Sequence, residues 1–160
     1  MKNNISPRRP NSLRLPGFDY SCNATYFLTI STKGKQQVFD NSLKRSIINK
    51  TAIDNSDLIG LDLIAICVMP DHIHIIIHNP GERPIGDFVR NYKSNVYHYF
   101  RKEHNVEKSF WQRYYYDHII RDDRDFKEKF QYVLENPVKE GLTSQECDPD
   151  YVYVNQNFMI

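Results

Sequence analysis

The sequence predicts an α+β fold, an antiparallel sheet with helices packed on one face. Three observations carry this reading. Leu61 to Val68 is an apolar run broken only by Asp62, the pattern of a buried central strand. Pro70-Asp71 leaves room only for a tight turn, so His72 to His78 returns as the antiparallel neighbour. From Pro84 to about His104, apolar residues from Ile85 through Phe88, Val89, Tyr92 and Val96 to Tyr99 recur at helical spacing, which predicts a long amphipathic helix.

The other elements follow in chain order. Residues 1–20 read as an irregular leader, with turn chemistry at Pro7, Pro10 and Pro16-Gly17. Ala24 to Ser31 is rich in aromatic and β-branched residues and predicts a first strand. Leu43, Ile47, Ile48 and Ile53 predict a helix from about Ser42 to Ile53, capped by Asp40, Asn41 or Ser42. Asn79-Pro80-Gly81 closes the central hairpin. Phe110 to Ile120 alternates bulky residues and predicts another strand. Asp122 or Asp123 caps a third helix carrying Phe126, Phe130 and Val133, and Pro137 is expected to end it at Asn136. The order β-α-β-β-α-β-α is that of a ferredoxin-like sheet. Residues 21–142 form the domain on this reading, and residues 143–160 remain an unassigned tail.

Bulk properties narrow the function classes. A chain of 160 residues, 40% hydrophobic and 13% aromatic, is long enough to bury a core and is not a disordered tract. No apolar stretch approaches the roughly 20 residues that span a bilayer, and residues 1–20 have no hydrophobic signal-peptide segment. Cys22, Cys67 and Cys147 are odd in number and far apart, which suits a reducing, cytoplasmic setting. Net charge is +1, but residues 1–50 hold nine Lys/Arg against two Asp/Glu while residues 51–160 hold twelve against eighteen. A basic leading third is able to supply phosphate contacts, and equally to be a solvated terminus.

Two short segments carry chemistry. His72 and His74 flank Ile73 in a strand, so their side chains point the same way while Ile73 enters the opposite layer. Burying two imidazoles is costly unless each finds a partner; separate hydrogen bonds or one shared divalent cation both satisfy them. His78 shares that face but lies too far along the strand for the same ion, and reads as a rim residue. In Tyr132-Val133-Leu134-Glu135-Asn136-Pro137, Tyr132 and Asn136 share a helix face away from Phe126, Phe130 and Val133. Tyr132 is therefore either an exposed tyrosine or a phenol aimed at a site.

Four ordered blocks carry a resemblance. They are Arg14 to Tyr20 with Tyr26 to Ile30, then Val68 to His74, then Trp111 to Arg121, and Tyr132 to Pro137 with Gly141-Leu142 behind it. On these the chain resembles the HUH single-tyrosine transposases, in particular the REP-associated tyrosine transposase branch, over most of its length. The resemblance implies a catalytic domain over 21–142 that cleaves and rejoins single-stranded DNA at REP-like hairpins through a 5′-phosphotyrosine. By position it makes Tyr132 the nucleophile and His72, His74 and Asn136 the ligands of Mg²⁺ or Mn²⁺. It also implies that the leader reads the foot of the hairpin, with Arg8, Arg9 and Arg14 as DNA contacts.

Arg90 and Lys93 on the long helix are lesser DNA candidates, or a solvated helix face. Trp111 and Tyr114 to Tyr116 either stack on unpaired bases or fill the sheet face, with core expected for the majority. Oligomeric state stays open between monomer and homodimer, as do roles for Asp71, Asp117 and His118. Two rivals remain. One is a domesticated sequence-specific DNA-binding protein without strand transfer; the other is a metal phosphodiesterase using water, which lacks a carboxylate-rich ligand set here.

Overall fold

The computed structural model describes residues 14–81 and 83–158. Its elements are β1 (Ala24–Ser31), α1 (Ser42–Ile59), β2 (Asp62–Val68), β3 (His72–Asn79), α2 (Ile85–His104), β4 (Tyr116–Ile120), α3 (Asp123–Lys139) and β5 (Val152–Val154). One antiparallel sheet has the order β4-β1-β3-β2-β5, so the strand bearing the histidines lies at its centre. The α+β class and the element order agree with the sequence reading.

The two faces of the sheet bury different sets. Tyr26, Leu28 and Ile30 of β1 join Ile73, Ile75 and Ile77 of β3 beneath α1 and α2, whose Ile48, Phe88, Tyr92 and Val96 complete that core. Strand alternation sends Phe27 and Ile76 to the other face, where they meet Val133 and the partly buried Phe126, Phe130 and Leu134 of α3. The third helix thus departs from the expectation that the helices share one face. The cause is that the apolar stripe of α3 needs a sheet face that α1 and α2 do not already cover.

Other boundaries also differ. Residues 110–115 are not strand: Trp111 makes a lone bridge to Thr32, and regular pairing starts at Tyr116. Trp111 is buried, whereas Tyr114 and Tyr116 are exposed, so the tyrosine run is not mostly core. The first helix runs on to Ile59 and stops at Gly60, whose φ of 74° is left-handed.

The third helix passes through Pro137 rather than ending before it. The preference of Asn136 against helix is outweighed by a closed last turn. Glu140 N donates to Asn136 O at 3.0 Å, Gly141 N to Val138 O at 3.0 Å and Leu142 N to Pro137 O at 2.9 Å. Gly141, at φ 71°, is the left-handed residue this Schellman arrangement requires. At the other end Asp122 is the N-cap, accepting from Asp125 N at 2.8 Å. Residues 143–160, unassigned from sequence, supply β5, which pairs with β2 through Ala65–Val154, Ile66–Tyr153 and Cys67–Val152.

Candidate active site

The site is built where the first residues of β3 meet α3. His72 and His74 stand on the α3 face with ring centroids 4.7 Å apart. His74 is only 5% exposed and stacks on Phe27, centroids 5.3 Å apart and planes 17° from parallel. The Tyr132 ring sits edge-on to both, 5.1 Å from His74 and 5.9 Å from Phe27. Tyr132 keeps 40% of its surface open to solvent, so the phenol borders the site without being enclosed. One helical turn on, Asn136 is 3% exposed, on a helix packed over β2 and β3. The structure therefore brings the His pair and the phenol together, with the carboxamide buried beneath the same helix.

Each histidine is held by its Nδ1. His72 Nδ1 lies 2.5 Å from Asp71 Oδ1, and His74 Nδ1 lies 2.9 Å from Thr29 Oγ1. The Asp71 carboxylate accepts, so His72 Nδ1–H donates and its Nε2 lone pair is available; His74 Nδ1–H donating to Thr29 would leave its Nε2 in the same state. This is the outer-shell arrangement that orients imidazole ligands in metal sites. Burial, reinforced by the neighbouring His72, drives the His74 pKa down to about 3, so its ring is neutral at ordinary pH.

Two buried atoms here have no hydrogen-bond partner, His74 Nε2 and Asn136 Oδ1. An unsatisfied buried polar atom costs about 1–3 kcal/mol, and a lone-pair nitrogen and a carbonyl oxygen cannot satisfy one another. A cation suits both, so the residues present fit a divalent metal. Among the described residues no group of three or more His, Cys, Asp or Glu side chains is placed to hold one. A third donor here would have to come from another residue type, and the buried, unpartnered Asn136 Oδ1 is a candidate.

The remaining candidates are placed as follows. Arg8 and Arg9 lie outside the described residues. Arg14 donates to the Tyr115 hydroxyl at 2.5 Å and lies over the Tyr20 and Tyr115 rings, at 5.4 and 5.3 Å, so its guanidinium is engaged within the protein. Lys93 Nζ donates to the Gln112 carbonyl at 2.9 Å, and burial lowers its pKa to about 8. The sequence leaves it between a lesser DNA candidate and a solvated helix face; the structure engages its ammonium with the Gln112 carbonyl. Arg90 is exposed and pairs with Asp87 at 2.9 Å. His78 contacts Thr25 Oγ1 at 3.0 Å, away from the His pair.

Three supporting groups were not legible as such. Thr29 lies opposite His74 in the β1–β3 register, so cross-strand pairing would have found it. Asp71 had only its adjacency to His72 as a signal. His118, on the α3 face of β4, binds Asp125 of α3 at 2.8 Å and ties the start of that helix to the sheet edge. Asp117 points to the opposite face, where burial raises its carboxyl pKa.

Known proteins are similar to this chain in sequence and in fold. The chain is 26% identical over 133 residues to the REP-associated tyrosine transposase of Escherichia coli, covering 81% of this chain and 75% of that protein. It is also 26% identical over 168 residues to an uncharacterized protein of Haemophilus influenzae, covering 86% and 93%. Among solved structures, a REP-associated tyrosine transposase bound to a REP hairpin superposes with TM-score 0.68 at 21% identity, over 83% of this chain and 78% of that one. The sequence profile of the IS200-like transposases matches residues 20–136. The chain belongs to the IS200-like transposase family, enzymes of DNA strand transfer.

Proposed function

We propose that this transposase cleaves and rejoins single-stranded DNA at REP-like hairpins through a 5′-phosphotyrosine on Tyr132. One observation carries the reading: two orphaned buried atoms, His74 Nε2 and Asn136 Oδ1, lie under the helix whose Tyr132 ring is 5.1 Å from His74. His72, His74 and Asn136 would hold Mg²⁺ or Mn²⁺. When bound, that cation supplies Lewis-acid polarisation of the scissile phosphate.

The protein's own part is positioning and nucleophilic attack. Asp71 and Thr29 fix the imidazole orientations, and Phe27 holds the His74 ring plane. The Tyr132 oxygen bonds to phosphorus as the bond from phosphorus to the 3′ oxygen breaks. The phenol gives up its proton in this step, and the departing 3′ oxygen gains one. Because the covalent link conserves the phosphodiester, attack by a 3′-OH on the phosphotyrosine rejoins strands without a nucleotide cofactor.

The REP hairpin bound by the structural relative supports a hairpin substrate here. Arg8 and Arg9 are proposed DNA contacts with Arg90, while Arg14 and Lys93 act by holding structure. No described helix is long and apolar enough to cross a membrane; a cytoplasmic enzyme, monomeric or homodimeric, is the corresponding proposal.

The test uses labelled hairpin-bearing single strands with Mn²⁺. A denaturation-resistant protein–DNA adduct is expected with the native chain and not with Tyr132→Phe. Cleavage that survives Tyr132→Phe would indicate a hydrolase, and binding without cleavage a domesticated DNA-binding protein.

A further inference from the structure

Beside His72 the surface opens into a cavity of about 380 Å³, within the roughly 300–1,000 Å³ typical of small-ligand sites. Lys35 and Gln37 line it from the segment after β1, Met69 and Pro70 from the turn before His72, and Glu140 and Leu142 from the end of α3. The walls are fixed. Thr32 donates to the Asp71 carbonyl from both N and Oγ1, at 2.9 and 3.0 Å, and Phe39 N donates to the Pro70 carbonyl at 2.9 Å. Lys35 is itself set by a left-handed backbone, φ 53°, following Gly34 at φ 58°. A non-glycine residue held there is uncommon and marks a segment whose surroundings impose its shape.

The lining has the chemistry of a nucleobase site. Pro70 and Leu142 offer apolar surface, backed by the buried Met69. Lys35, Gln37 and Glu140 offer donors and acceptors whose side chains make no hydrogen bond or ion pair among the described residues. An amide and a carboxylate read the polar edge of a base, and apolar walls accept its faces. Position then selects which base. The Tyr132 ring lies against His74 and Phe27, whereas the cavity adjoins His72, so phenol and cavity stand at opposite ends of the histidine pair. In an in-line displacement the leaving oxygen departs opposite the attacking one.

We infer that this cavity holds the base of the nucleotide whose 3′ oxygen leaves, keeping the freed 3′-OH beside the phosphotyrosine until strands are rejoined. This rests on the strand-transfer reading above. The function is retention: an unheld 3′ end diffuses away, and the reverse attack loses the advantage of proximity.

The scissile phosphate is first mapped with the native protein. Binding of the hairpin strand to the Tyr132→Phe protein is then measured by fluorescence anisotropy in EDTA. An abasic site on the 5′ side of the scissile phosphate is expected to weaken binding about tenfold, and one on the 3′ side less than twofold. In a Gln37→Ala/Glu140→Ala protein, both positions being exposed and the fold verified by thermal melting, intact DNA is expected to bind as weakly as the abasic strand does to the parent protein. Equal losses at both abasic positions overturn the inference, as does a 5′-side penalty that survives the double substitution. If adducts form but the abasic strand binds normally, only this inference fails; if no adduct forms, the strand-transfer reading fails with it.

Discussion

Replacing Asn136 with Ala separates a metal ligand from a structural residue, because the two roles predict opposite signs. Asn136 is 3% exposed and its Oδ1 has no partner, so the apo protein carries an unsatisfied acceptor. Removing it recovers about 1–3 kcal/mol of desolvation, and alanine adds up to about 0.7 kcal/mol of helix propensity. Against this stands a small void where the carboxamide was, held to about 1 kcal/mol because few atoms are lost. The net effect in EDTA is a gain of roughly 1–2 kcal/mol, which for a chain of this size raises Tm by about 2–8 °C. In Mn²⁺ the order reverses. A ligand at 100 times its Kd stabilises the native protein by about 2.7 kcal/mol, and losing one of three protein donors removes most of that. The assay is a pair of thermal melts, with and without metal, on both proteins. An Asn136→Ala protein less stable than the parent in EDTA, with its Mn²⁺ shift intact, would refute the reasoning and make Asn136 a packing residue.

Three further outcomes follow from the same geometry. Thr29→Val keeps the strand shape but strips the partner from His74 Nδ1; the Mn²⁺ concentration for half-maximal cleavage should rise about 10- to 100-fold, and an unchanged value counts against the support role. His74 is neutral in the fold with a pKa of about 3, against 6.5 as its ordinary value. Above pH 6.5 it is neutral folded and unfolded and adds no pH dependence. As pH falls from 6.5 toward 3 only the unfolded chain takes the proton, so stability drops by ~1 kcal/mol per pH unit. Urea melts in EDTA should show that slope and lose it in His74→Gln; parallel slopes in the two proteins would contradict it. Finally, two imidazoles suit a transition metal better than Mg²⁺, so Mn²⁺ should support adduct formation at least as fast, and clearly slower rates in Mn²⁺ would oppose the proposed ligand set.

Much of the fold was legible because its signals are local. The Leu61–Val68 run, the two-residue turn and the alternation around His72 and His74 define the central hairpin without reference to anything else. The periodicity of α2 needs only its own residues. What stayed hidden depends on partners distant in sequence. The side of the sheet on which α3 lies is decided by which face α1 and α2 have already covered, and β5 is three residues long with only β2 to define it. Pro137 was misread because the local penalty at Asn136 is real, while the Schellman closure at Gly141 and Leu142 that outweighs it lies beyond the proline. Lys93 and Arg14 looked like free cations in a linear sequence; each is consumed by a contact, with Gln112 and with Tyr115, that only the folded chain creates.

The placement of α3 on the second face is what brings the Tyr132 ring to the histidine pair. The strand alternation that buries Ile73 and Ile75 under α1 and α2 necessarily turns His72 and His74 toward the other side. Had all helices packed on one face, those imidazoles would have met only solvent. The site is thus half sheet and half helix, and its geometry is set by how α3 docks. That docking rests on the apolar contacts of Phe126, Phe130, Val133 and Leu134, on the His118–Asp125 pair at one end, and on the bond from Cys147 N to Leu134 O at 3.3 Å. The histidines sit on the sheet's central strand, paired on both sides by β1 and β2, while the phenol rides on a helix packed over one face of β2 and β3. On the proposed mechanism this division suits a reaction that runs in both directions, since a phosphotyrosine on the helix would have to accept a second 3′-OH without dismantling the histidine pair on the sheet.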